Sequence, residues 1–64
     1  MEYGKKMLEF RAKHNLTQTK LANILGVNTN MVHRYEVGKN KPTSVNQIRF
    51  DKKMEEYEKW GTNV

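Results

Sequence analysis

The chain has 64 residues, no cysteine, twelve Lys and Arg against seven Asp and Glu, and a formal net charge of +5. That length suits one domain with a small core, burying only about 60% of its unfolded surface, while the missing cysteines exclude a disulfide framework and a Cys-based zinc site, and His14 and His33 stand too far apart to suggest a metal staple. No apolar run approaches the ~20 residues of a membrane span and the N-terminus lacks a signal-peptide core, so a reducing cytoplasmic setting is expected.

No stretch alternates apolar and polar residues with period two for more than a few positions, so the chain reads as all-α. A first helix is expected over about 2–14, where Tyr3, Met7 and Phe10 recur at i, i+4 and i+7 as one apolar stripe flanked by Leu8. His14 suits the negative end of that helix, and Asn15 suits the left-handed residue that often follows it. Leu16 then returns to the core. Thr17 is a natural N-cap for a second helix over 18–25, which presents Leu21, Ala22 and Leu25 on one face and stops at Gly26. A third helix is expected over 28–37, with Asn28 as its cap and Gly38 as its stop.

Pro42 forbids a helix through the loop that follows. Beyond it, SVNQ at 44–47 reads as a capping box, Ser with Gln three residues on, opening a fourth helix over 44–59. Its apolar residues divide: Val45 and Ile48 lie on one side, Phe50, Met54 and Tyr57 on another, so the helix is expected to bend or to use two faces. Residues 61–64 are expected to fray. The expectation is a compact four- to five-helix bundle, a single domain over residues 1–60.

The third helix raises a chemical question. The run GVNTNMVHRYE at 26–36 is poor in helix formers, because Asn, Thr, Val, His and Tyr lose rotamer freedom or compete for backbone hydrogen bonds. Val32 and Tyr35 share one side with Asn28 and Met31, whereas Asn30, His33, Arg34 and Val37 fall on the opposite side. That outer side carries hydrogen-bonding groups in place of the usual Glu and Lys. Asn can bond adenine at N6 and N7 together, and Arg can do the same at guanine O6 and N7. Each such bidentate pair is worth roughly 1–3 kcal/mol of discrimination in the major groove.

Charge distribution points the same way. Residues 1–49 carry nine Lys and Arg against three acids, and residues 50–64 carry three Lys against four acids. A basic body with a near-neutral tail suits a polyanion, although a lysine-rich surface also serves solubility.

The run LTQTKLANILGV at 16–27, followed by Val32, Tyr35, Glu36, Gly38 and Pro42, resembles the framework of the phage repressor and Cro-type (XRE-like) helix-turn-helix family. The likeness covers about residues 7–54 and rests on many coordinated positions. It implies DNA base-reading positions at Asn28, Thr29, Asn30 and Arg34, with His33 on the same face. It implies phosphate contacts at Gln18, with Lys20 a further candidate, and from the loop residues Lys39, Asn40 and Lys41. It also implies a structural ion pair between Arg11 and Glu36. This chain departs from the family where Lys20 replaces the usual Glu, and where Gln47 and Asp51 replace usual apolar residues.

The resulting expectation is a sequence-specific double-stranded DNA-binding regulator, needing no metal or other cofactor and acting on a palindromic operator, with a weak or DNA-assisted homodimer. The alternative is a protein-interaction module, such as an antitoxin or a phage protein that binds a host factor. Its surface would be Tyr57 and Trp60, three apart, which either cover the core or meet a second copy, self-packing being favoured. An enzyme is not expected: no nucleophile–base pair, metal cluster or phosphate-binding glycine loop is present, and Glu55 and Glu56 read as solvated charges.

Overall fold

The computed structural model describes residues 2–60, which form four helices and, among the described residues, no strand. They are α1 (Tyr3–His14), α2 (Gln18–Leu25), α3 (Thr29–Val37) and α4 (Ser44–Trp60). Among the described residues no helix is long and apolar enough to cross a membrane.

The first three helices end in one way. Asn15, Gly26 and Gly38 each adopt the left-handed conformation just past the last helical turn. The following amide then reaches back five residues: Leu16 to Arg11 at 2.8 Å, Val27 to Ala22 at 3.0 Å and Lys39 to Arg34 at 2.9 Å. These bonds satisfy carbonyls that a helix end leaves free, and they turn the chain sharply. Leu16 and Val27 thereby pack against the core.

Helix starts are equally local. Thr17 Oγ1 accepts from the Lys20 amide at 3.1 Å, and Asn28 Oδ1 accepts from the Met31 amide at 2.8 Å. The start of α4 differs from the SVNQ capping box. Thr43 Oγ1 caps instead, accepting from the Asn46 amide at 3.2 Å, and the Gln47 side chain donates to the Pro42 carbonyl at 3.0 Å. Thr and Ser cap equally well by residue type, and with Gln47 drawn back onto the loop the cap falls one residue earlier, at Thr43.

One cluster of buried side chains holds the helices together. α1 contributes Tyr3, Met7 and Phe10; α2 contributes Leu21, Ala22 and Leu25; α3 contributes Val32 and Tyr35; α4 contributes Phe50, Met54 and Tyr57. The two apolar sides of α4 have unequal fates: Phe50, Met54 and Tyr57 are buried, and Val45 and Ile48 are exposed. Leu8 is exposed beside the α1 stripe. The aromatic pair at the end of the chain is split. Tyr57 packs edge-on against Phe10 with ring centroids 5.8 Å apart, whereas Trp60 is 64% exposed, because the last turn of α4 carries it away from the core-facing line of Phe50, Met54 and Tyr57. Residues 61–64 lie outside the described residues.

Of the two polar replacements in α4, Asp51 is tied to α1. Asp51 Oδ1 accepts from the Tyr3 hydroxyl at 2.7 Å and from Lys6 Nζ at 2.8 Å. Near the other end, Glu58 accepts from Lys13 and His14, each at 3.0 Å. Burial tends to raise the Asp51 pKa, but the Lys6 and Tyr3 hydrogen bonds and the Lys6 charge together hold it below the usual carboxylate range. Burial, and then the Asp51 contact, push the Tyr3 hydroxyl far above its ordinary value.

Candidate nucleic-acid interface

α2 and α3 are joined by residues 26–28, where Gly26 takes φ 78° with no neighbouring atom close to its open side. Ala22, fully buried, offers the small surface on which α2 and α3 approach. Val32 and Tyr35 hold α3 to the core through one side. Geometry then decides the other side: Asn30, His33, Arg34 and Val37 are all exposed.

α3 is fixed in place by a polar node. Glu36 accepts two bonds from Arg11, Nε to Oε2 at 2.7 Å and Nη2 to Oε1 at 2.9 Å, and a third from Gln18 Nε2 to Oε1 at 2.9 Å. Arg11 Nη1 also donates to the Leu16 carbonyl at 3.1 Å. One carboxylate, its side chain 3% exposed, thus joins α1, the α1–α2 turn, α2 and α3. Bidentate Arg–carboxylate geometry fixes direction as well as distance, so the node sets the angle of α3.

The node places Gln18 at the start of α2, with its amide 3.5 Å from His33 Nδ1. Thr29 Oγ1 lies 3.3 Å from Thr19 Oγ1, a second polar link between the two helix starts. Asn28 spends its oxygen on capping α3, so any further contact falls to its amide nitrogen. Lys20, Lys39 and Lys41 are exposed, and Asn40 is half-buried. The amides of Lys39 and Asn40 both donate to the Arg34 carbonyl, at 2.9 and 3.3 Å, which folds this loop against the end of α3. The residues singled out by sequence therefore fall into two groups. Asn28, Thr29, Asn30, His33 and Arg34 lie along α3, and Gln18, Lys20, Lys39, Asn40 and Lys41 sit at the α2 start and the loop after α3.

Two contributions were not evident in sequence. Gly4 is buried where α1 crosses the end of α3: a Cβ there would stand 2.2 Å from the Tyr35 carbonyl oxygen. Asp51 anchors α4 to the same end of α1. Gly4 carries no sequence signal, because a lone glycine inside a helical pattern reads only as a weak position. For Asp51 the one signal was its place on the inner side of α4, where an acid demands a partner.

Among the described residues no group of His, Cys, Asp and Glu could hold a metal ion. A family model described as helix-turn-helix matches residues 7–46. No curated protein and no solved structure matches the chain.

Proposed function

The chain belongs to the phage repressor and Cro-type (XRE-like) helix-turn-helix family of DNA-binding regulators, and we propose that it is a sequence-specific double-stranded DNA-binding transcriptional regulator with α3 in the major groove. The observation that carries this reading is the two-sidedness of α3: Val32 and Tyr35 are buried while Asn30, His33 and Arg34 are exposed in one ridge. Asn30 and Arg34 supply the side chains suited to bidentate contacts with adenine and guanine. His33, Thr29 and the Asn28 amide add single contacts at the same edge. Gln18, Lys20, Lys39, Asn40 and Lys41 take phosphates on either side and fix register without reading sequence.

The family is regulatory, and we read this chain as having no catalytic activity of its own. It works in the cytoplasm. One domain makes few base contacts, so two copies act on a palindromic operator, with half-sites about one helical turn apart, roughly 34 Å. The competing reading, a protein-interaction surface of Tyr57 and Trp60, is weakened because Tyr57 is buried against Phe10.

Selection of bound duplexes from a random DNA library tests the proposal. A reproducible, palindromic consensus is expected. Recovery of no preferred sequence, with a stoichiometric protein partner captured instead, would overturn it.

A further inference from the structure

We infer that the outward face of α4 is a self-complementary surface that pairs antiparallel with the same face of a second copy. The pattern is in the residue spacing. Val45, Ile48, Lys52, Glu55 and Lys59 recur at intervals of three and four, which on a helix makes one continuous stripe. All five are exposed, Val45 to 60% and Ile48 to 70%, while α4 is anchored through the opposite side by Phe50, Met54 and Tyr57.

Charge along this face is polarised. Arg49 and Lys52 occupy its first half, and Glu55 and Glu56 its second, ahead of the terminal Lys59. Among the described residues none of these four makes an ion pair. The contrast with the inner flank of the same helix is direct: Asp51 is held by Lys6, and Glu58 by Lys13 and His14. α1 thus neutralises the inner acids and leaves the outer charges unmatched.

The unmatched charges select one arrangement of two copies. Parallel pairing would set Lys52 beside the partner's Lys52 and Glu55 beside the partner's Glu55. Antiparallel pairing sets Lys52 beside the partner's Glu55, and the symmetry repeats the contact. In that register Arg49 comes beside the partner's Glu56, and Ile48 lies on the alkyl stem of the partner's Lys59. The Lys52–Glu55 and Arg49–Glu56 pairs are then of opposite sign, while on the other flank Asp51 and Glu58 are already held by Lys6 and by Lys13 and His14 of their own chain. The face is narrow compared with a stable interface of about 1,600 Å², and exposed ion pairs are individually weak. Association is accordingly weak in free solution and effective when two copies already sit on one duplex.

The inference rests on the two-copy reading above, yet it is tested without DNA, so the two stand or fall separately. Concentration-dependent amide shifts of the full chain are measured by NMR at low and high salt. Two charge-reversed variants, Arg49→Glu with Lys52→Glu and Glu55→Lys with Glu56→Lys, are measured alone and mixed. The expected result is shifts along α4 that fade at high salt, association at least about tenfold weaker in either variant alone, and recovery in the equimolar mixture. Orientation is read by cross-linking: Lys52→Cys mixed with Glu55→Cys should form disulfides faster than either alone. A wild-type chain that stays monomeric throughout, charge-reversed variants that associate like wild type, or Lys52→Cys alone cross-linking as fast as the mixture would each overturn the inference. Circular dichroism of each variant establishes that its helices are intact, all substituted positions being exposed.

Discussion

Arg11 and Glu36, 25 residues apart, meet fork to fork, with Nε on one carboxylate oxygen at 2.7 Å and Nη2 on the other at 2.9 Å. The guanidinium side chain is 22% exposed and the carboxylate side chain 3%. Such a pair adds little net stability compared with an apolar pair, but removing one partner strands the other.

Arg11→Met is therefore expected to cost about 3 kcal/mol, because Glu36 keeps only Gln18 as a partner. A domain of this size is stable by roughly 3–10 kcal/mol, so the loss lowers Tm by more than about 10 °C. Removing both charges with Arg11→Met and Glu36→Leu should recover most of it. Thermal melts followed by circular dichroism decide the matter: a single variant as stable as wild type would show that the pair carries no structural weight.

Gly4→Ala reverses the usual expectation for a helix. Propensity alone favours alanine by about 1 kcal/mol. The new methyl, however, would stand 2.2 Å from the Tyr35 backbone oxygen, and overpacking against backbone costs about 1–3 kcal/mol. The variant is expected to be less stable than wild type in urea titration. A stabilised Gly4→Ala would mean that α1 and α3 separate without penalty.

Tyr57 and Trp60 should respond oppositely to truncation. Tyr57→Ala removes a buried ring packed on Phe10 and His14, costing about 3 kcal/mol. Trp60→Ala, at an exposed position, should change stability by less than about 0.5 kcal/mol. Equal losses in the two melts would contradict this division of the tail.

Acid should weaken the attachment of α4 to α1. The Asp51 and Glu58 carboxyls both lie below their ordinary pKa in the folded chain: burial of Asp51 is outweighed by Lys6 and Tyr3, and Glu58 is lowered by its hydrogen bonds from His14 and Lys13. A carboxyl lowered on folding contributes stability that is complete above its unfolded pKa of about 4 and is lost as pH falls through the folded value. Stability measured against pH is expected to drop below about pH 4, with Asp51→Asn flattening part of that fall. An unchanged acid limb in Asp51→Asn would remove Asp51 from the account.

On selected DNA, Asn30→Ala and Arg34→Ala should relax sequence preference, while Lys41→Ala should weaken all sequences alike. Wild-type affinity should fall with salt at a log–log slope of about −4 to −5, as for five neutralised phosphates. Competition binding and salt titration read both. If Arg34→Ala leaves affinity and preference unchanged, the assignment of base readers fails.

The sequence alone determined where the first three helices end, which residues cap α2 and α3, and which side of α3 faces outward. Thr17, Asn28, Asn15, Gly26 and Gly38 act within about six residues of themselves, so their roles are written locally. Burial of Val32 and Tyr35 followed from helical period, and the framework from Leu16 to Pro42 carried the family. The cap of α4 escaped by one residue, because Thr43 and Ser44 are chemically similar caps and a long-reaching Gln47 lies back on the loop. Tertiary structure decided what local period cannot reach. It joined Gln18 to the Arg11–Glu36 pair, gave Asp51 its partners 48 and 45 residues away in Tyr3 and Lys6, required glycine at position 4, and separated Tyr57 from Trp60. A helical face states only which residues point together; what they meet is fixed when the helices cross, and there every buried charge must find its counterpart.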